Sequence, residues 1–425
     1  MAVRAVVGAQ WGDEGKGRVV DLLAQDAQVV VRFQGGNNAG HTVVNEHGTF
    51  RLHLVPSGIF NPTAWNVISA GCAVHPGALL EEMREVAASG ATLDRLVVSE
   101  RAHVVMPYHL AVDGLDEAAR SRSGSEIGTT KRGIGPCYTD KAARIGLQAG
   151  ELLLENRLRE RVAQLVAGKN KVITGLYGGE PLAADEVFEA LRQQGRELAP
   201  HIRDTLPIVH GALADHQSIL LEGQLGALRD LDWGTYPYVT SSSPTSAGAA
   251  VGAGIPPHQI TEVIGVAKAY TTAVGTGPFP AELHDDNCAR LREVGQEYGA
   301  TTGRPRRCGW FDAVAVRHAA MLNGFTSLAL TKLDVLDRFD EIRVCVAYEL
   351  DGERLDRVPP TWLLERVTPV YETVRGWGEP TNEARWFADL PAAARDYVER
   401  LERLVEVPIA HVSVGAERSE MVVRG

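Results

Sequence analysis

The sequence predicts an α/β fold: a P-loop-like, mainly parallel sheet flanked by helices and carrying helical insertions. Three observations predict it. Apolar runs of strand length recur at 3–7, 29–33, 65–69, 218–221, 261–266 and 327–331, separated by helical or loop stretches; this alternation is that of a parallel sheet with crossover helices. The first two runs each feed a glycine-rich loop, Gly8 to Gly17 and Gly35 to Thr42, and open α/β sheets place ligands at such strand ends. The first loop passes directly into Arg18-Val-Val-Asp-Leu-Leu-Ala24, apolar at helical spacing.

Farther along, the stretch from about Gly150 to Ile208 is rich in Leu, Glu, Arg and Ala at helical spacing and reads as a helical insertion. No linker demands a second domain and no repeat is visible, so residues 1–425 are expected to form one unit.

Bulk composition narrows the class of function. Hydrophobic residues at 44% and charged ones at 23% belong to a folded globular chain rather than a disordered one. A formal charge of -11 sets the overall field against a general nucleic-acid surface, though a local arginine cluster can still hold a small anion. Five scattered cysteines with no CxxC pair suggest neither a disulfide framework nor a zinc site. Only Ala5-Val6-Val7 precedes the first glycine and no apolar run approaches the ~20 residues that span a bilayer. A cytoplasmic location with no membrane partner is expected.

Four loops carry chemistry. Gly15-Lys16 ends a loop resembling a P-loop, whose backbone N–H groups and lysine hold phosphate at a helix N-terminus. The standard pattern has glycine where Gln10 stands and Ser or Thr where Gly17 stands. The hydroxyl that usually ligates magnesium is therefore missing, and Asp13 is available to bind metal or to act as a base. A solvated glycine turn remains the bland alternative. Thr331-Lys332-Leu333-Asp334 follows an apolar strand in the form of a guanine-reading loop: a carboxylate accepts from guanine N1–H and the 2-amino group, donors adenine lacks. Thr301-Thr302-Gly303-Arg304-Pro305-Arg306-Arg307 gathers three guanidinium groups that fit carboxylate or phosphate oxygens bidentately. His41 closes the second glycine turn, where an imidazole can move a proton near neutral pH or serve the structure alone.

Together these loops, with Gly133-Ile-Gly-Pro136 and Asp232 to Ser242, resemble the adenylosuccinate synthetase family in content, order and spacing from residue 3 to about 420. The resemblance implies GTP-dependent phosphorylation of IMP at O6, then displacement of phosphate by the amino group of L-aspartate. It implies Asp13 as the base at purine N1, His41 as the acid supporting phosphoryl transfer, and Lys16 as a phosphate cation. Mg2+ would be held by Asp13 and the Gly40 carbonyl. GTP would meet Gly12, Asp13, Glu14, Gly15, Lys16, Gly17, Gly40, His41, Thr42, Arg306, Lys332, Leu333, Asp334, Ser413, Val414 and Gly415. IMP would meet Asp13, Asn38, Ala39, Thr129, Thr240, Arg304 and the Gln224-Leu225 pair, with Arg144 arriving from the neighbouring subunit of a homodimer. Ala300, Thr301, Thr302, Gly303, Arg304 and Arg306 match the loop that holds aspartate.

The chain departs from the family at Leu225, where a glutamine usually meets IMP, with Gln224 one position early. Trp233, Ser243, Ala273 and Lys131 replace the usual histidine, asparagine, arginine and glycine. These changes lie on the IMP side. They leave open a paralogue aminating an IMP-like nucleotide in a specialised nucleoside pathway, and, from another class, a GTP-binding regulatory protein without catalysis.

Overall fold

The computed structural model describes residues 2–38, 40–299 and 303–424. Its centre is a ten-stranded sheet whose strands, in chain order, are β1 (Val3–Gly8), β2 (Val29–Arg32), β3 (Trp65–Ile68), β4 (Leu96–Ser99), β5 (Ile202–Arg203), β6 (Ile219–Gly226), β7 (Glu262–Lys268), β8 (Ser327–Thr331), β9 (Ile409–Ser413) and β10 (Met421–Val423). The spatial order is β10-β9-β8-β7-β1-β6-β2-β3-β4-β5. Every pairing is parallel except β9 with β10. Helices cover both faces, so strands such as Val29-Val-Val31 are buried throughout and read as continuous apolar runs.

Each of the six apolar runs seen in the sequence supplies a strand of this sheet. The central strand β1 pairs with β6 on one side, Val6 opposite Glu222, and with β7 on the other, Gly8 opposite Val266. Glu222 in turn lies opposite Arg32 on β2. The loops following β1, β2, β6 and β8 therefore open on one edge of the sheet, and the site is built there.

Two elements differ from the sequence-based expectation. The 150–208 insertion is mainly helical, with α5 at Glu155–Gly175 and α6 at Ala184–Leu198 if helices are counted from α1 (Lys16–Leu23) through α2 (Pro76–Ala88), α3 (Pro107–Arg122) and α4 (Ile134–Ala143). However, Ile202–Arg203 leaves it to pair with Val98 and Ser99 as the edge strand β5; two residues are too few to show a period of two. His41, expected in a glycine turn, begins a strand, His41–Asn45, paired antiparallel with Gly48–Leu52. A separate mixed sheet packs on the same core: Glu341–Leu350 pairs antiparallel with Glu353–Leu355 and Thr368–Arg375 and parallel with Phe311–Asp312.

Candidate active site

The loop from β1 to α1 is shaped by glycines and by its own glutamate. A Cβ at Gly8 would lie 2.4 Å from the Leu225 carbonyl, so only glycine admits that approach. Gly12, Asp13 and Gly15 take φ of 107°, 60° and 92°. Glu14, predicted as a phosphate-loop contact, turns its side chain inward. Its carboxylate accepts from the N–H of Gln10 (3.1 Å) and Gly12 (2.9 Å) and pairs with the Lys16 ammonium at 2.5 Å. Thr331 Oγ1 donates to the Glu14 carbonyl, tying this loop to the end of β8.

Both departures from a P-loop have a physical reason here. Gln10 replaces glycine because its amide staples the loop to the chain beyond β7: Nε2 donates to the Tyr270 carbonyl at 2.9 Å, and Oε1 accepts from Lys268 N at 3.1 Å. Gly17 replaces Ser or Thr because a Cβ there would stand 2.7 Å from His41 Cβ. The hydroxyl was exchanged for a close approach of His41.

His41 is buried, with Nδ1 2.5 Å from Glu222 Oε1. Glu222 also accepts from Ser57 N (2.8 Å) and Ser57 Oγ (2.6 Å). Burial alone would raise the Glu222 pKa, but hydrogen bonds from His41 and Ser57 and the charges of His41 and Arg32 bring it below the usual carboxylate value. An ionised Glu222 can only accept, so the proton sits on His41 Nδ1. That leaves Nε2 as the working atom, buried and without a hydrogen-bond partner among the described residues. Burial lowers the imidazole pKa, and Glu222 opposes it.

At the end of β8, Lys332 adopts the left-handed region (φ 59°) and Asp334 follows. Asp334 Oδ1 is buried without a hydrogen-bond partner among the described residues, and burial raises its pKa. Arg18, on α1, donates to Ser413 Oγ and the Gly415 carbonyl and exerts its charge on Asp334. The 332–334 and 413–415 segments, far apart in sequence, thus meet across adjacent strands β8 and β9. Leu333 and Val414 are fully buried in the core, so only their main chain can face a ligand.

In the arginine-rich loop, Arg306 Nε lies 2.8 Å from Asp13 Oδ2, whose side chain is 27% exposed. Arg306 Nη1 donates to Glu297 at 2.6 Å. Gly303 is exposed with φ 64°. Ala300, Thr301 and Thr302, like Ala39 of the second glycine loop, lie outside the described residues. Arg304 lines a cleft of about 650 Å³ with Thr129, Lys131, Ala273, Val274 and Arg307.

The predicted purine side is more changed. Gln224 is fully buried: its Oε1 accepts from Arg32 and its Nε2 donates to Asn38 Oδ1 at 2.6 Å. That side chain is committed inside the fold and does not stand in for a glutamine at 225. Leu225, at φ 61°, places its own side chain against Gly12. The N–H of Thr129 is held by Glu117 at 3.2 Å, and that of Thr240 by the Arg229 carbonyl at 2.9 Å. Ser243 turns inward onto Asp230 (2.7 Å), and Trp233 projects into solvent at 64% exposure, so neither replacement touches the cleft. Lys131 and Ala273 do line it.

Arg229 escaped the sequence reading because no motif contains it. Its guanidinium donates to the Tyr238 carbonyl and to the Val274 carbonyl at 2.6 Å, beside Ala273. Burial pulls its pKa to about 10, with Arg307 acting in the same direction and Asp13 against it. A cation thus stands next to the position where the family arginine is absent. Glu222, Glu297 and Lys268 were likewise missed: Glu222 and Lys268 lie within strands, and Glu297 just after the helix Asp286–Val294, where pattern alone shows only the strand or the helix.

Arg144 is exposed at the C-cap of α4 with φ 63°. The first turn of α4 adjoins Ser241, and ten residues of helix span about 15 Å. Arg144 therefore stands about a helix length from Ser241. Among the described residues no group of three His, Cys, Asp or Glu could hold a metal. Asp13 carries a carboxylate and Gly40 a main-chain carbonyl, both hard oxygen donors of the kind that suit Mg2+.

The profile of the family described as adenylosuccinate synthetase matches residues 5–422. A protein of Dehalococcoides mccartyi named adenylosuccinate synthetase is 46% identical over 99% of this chain and 100% of its own length. One of that name from Thermosynechococcus vestitus is 51% identical, covering 100% of this chain and 94% of its own. Among solved structures, fully ligated adenylosuccinate synthetase from Plasmodium falciparum superposes with a TM-score of 0.95 at 37% identity, each chain covered completely. A cyanophage S-2L succinoaminodeoxyadenylate synthetase shares the fold at a TM-score of 0.62 and 20% identity, covering 99% and 95%.

Proposed function

The chain belongs to the adenylosuccinate synthetase family, and from that premise we propose how its own residues carry GTP-dependent ligation of L-aspartate to IMP. Asp13 takes the N1 proton of the purine, which drives electron density onto O6. O6 attacks the γ-phosphorus of GTP, and the bond to the β-phosphate oxygen breaks, giving GDP and 6-phosphoryl-IMP. His41, with Nδ1 fixed by Glu222, presents Nε2 to the phosphoryl group; phosphate charge beside it favours the imidazolium that burial alone disfavours. Lys16 spends one donor on Glu14 and keeps two for phosphate oxygens.

Mg2+ would be held by Asp13 and the Gly40 carbonyl, where it would neutralise phosphate charge. Asp334, whose buried Oδ1 has no donor among the described residues, accepts from guanine, with the Ser413 to Gly415 turn alongside. Arg304 and Arg306 hold the aspartate carboxylates beside Asp13. The aspartate amine then attacks C6, phosphate departs with the former O6, and adenylosuccinate forms. The observation that carries this reading is convergence: His41 with Glu222, Asp13 with Arg306, and Arg18 with Ser413 near Asp334 surround one loop.

Arg144, exposed at the C-terminal end of α4, completes the phosphate end of a neighbouring site in a cytoplasmic homodimer. No described helix is long and apolar enough to cross a membrane. Leu225 and Ala273 favour a second reading in which the nucleotide is an IMP analogue. Phosphate release from GTP, Mg2+, aspartate and IMP, with each omitted in turn and the product identified by mass, tests the proposal. Dependence on all four with adenylosuccinate formed is expected; folded, GTP-binding protein that turns over only an analogue would select the second reading.

A further inference from the structure

Outside the residues already assigned, the most heavily connected charged group near the cleft is Glu297. It is fully buried, two residues before Gly299 and nine before Arg306. One of its carboxylate oxygens accepts from Lys332 Nζ at 2.8 Å, and the other from Arg306 Nη1 at 2.6 Å. Lys268, fully buried on β7, reaches both oxygens at 2.8 Å, and the Tyr270 hydroxyl donates to the first. At the main chain, Arg306 N donates to the Glu297 carbonyl (2.9 Å) and Gly299 N to the Arg304 carbonyl (2.8 Å). Glu297 thus closes the base of the arginine-rich loop with the same residue whose carboxylate anchors Lys332.

Three cations meet on Glu297, and Arg306 alone of them also lies against Asp13. Burial opposes ionisation of Glu297, yet Lys268, Lys332 and Arg306 hold its pKa well below the usual range. Burial and the neighbouring cations bring Lys268 down to about 8. A buried carboxylate held ionised by groups from separate loops fixes the positions of all of them.

We infer that Glu297 is a positioning residue joining the guanine loop to the amino-acid loop, setting Lys332 and Arg306 with one carboxylate so that both substrates depend on it. The inference rests on the proposed assignment of those loops to GTP and aspartate. It concerns Glu297 alone, and it differs from a packing role in what it changes: KM for the two substrates assigned to those loops, more than KM for IMP.

The test measures KM for GTP, aspartate and IMP in the full chain carrying Glu297→Gln. Because that change leaves the buried Lys268 and the part-buried Lys332 and Arg306 without this carboxylate, a Lys268→Met/Glu297→Gln double variant, which removes one cation together with the carboxylate, is measured beside it. Loss of a charge-assisted hydrogen bond at each loop predicts that KM for GTP and for aspartate both rise about tenfold, with KM for IMP within about threefold of wild type. A folded variant in which only one of the two rises, or neither, or in which all three move together, overturns the inference. The wild-type arm reads the proposed reaction separately: absence of turnover there counts against the reaction itself, whatever the variants do.

Discussion

His41 meets two demands at once: it must be buried enough to exclude water from the transferring phosphoryl group, and it must still exchange a proton. Glu222 reconciles them by fixing Nδ1 and leaving Nε2 open. Replacing His41 with Asn is expected to lower kcat by about 10²–10⁴-fold, the usual contribution of a general acid. Glu222→Gln removes the negative partner that raises the imidazole pKa; kcat should fall and the alkaline limb of its pH profile, where the imidazolium loses its proton, should move to lower pH. An unchanged limb would detach Glu222 from His41 chemistry. At the guanine loop, Asp334→Ala should raise KM for GTP about tenfold to a hundredfold while changing use of ATP little, because adenine lacks the donors that the carboxylate accepts. Motif spacing made Asp13, His41 and Asp334 legible in the sequence. Glu222 and Glu297 were not, because a buried carboxylate within a strand or just after a helix has no pattern of its own until its partners are known.

Among the elements, the β1-to-α1 loop shows why a partial motif was still informative. Strand, glycine loop and helix were readable from periodicity and glycine content, whereas the reasons for Gln10 and Gly17 lay in β7 and in the 41–52 hairpin, which only tertiary contact reveals. Gly17→Ser, which restores the usual P-loop hydroxyl, should destabilise the fold by about 1–3 kcal/mol through overpacking against His41 and should abolish turnover. Thermal melting and activity of that variant check both. Turnover at the wild-type level would mean that the His41 approach is not required. The 202–203 edge strand was hidden because two residues cannot display a strand period, and the turn before His41 concealed a hairpin whose first strand is only half buried. On the purine side, Arg229→Leu frees the carbonyls of Tyr238 and Val274; KM for IMP should rise more than KM for GTP.

The molecule as a whole places four loops from four parallel strands on one sheet edge, an arrangement the alternating apolar runs announced. What the sequence could not announce was the count of cations against anions inside. Glu297, held below its ordinary pKa of 4.5, adds stability that is present above that value and is lost as pH falls through the folded pKa. The difference in melting temperature between wild type and Glu297→Gln should therefore narrow below about pH 4.5. At the scale of the assembly, Arg144→Leu and Asp13→Ala should each be inactive alone and recover activity when mixed, since a hybrid dimer would hold one intact site. No recovery on mixing would remove Arg144 from the neighbouring cleft.

The central claim is that O6 of the purine is phosphorylated before the amine arrives. IMP labelled with heavy oxygen at C6 tests it most directly, with the released phosphate analysed by mass after turnover with GTP and aspartate. Label recovered in inorganic phosphate is the predicted result; unlabelled phosphate alongside adenylosuccinate would contradict it.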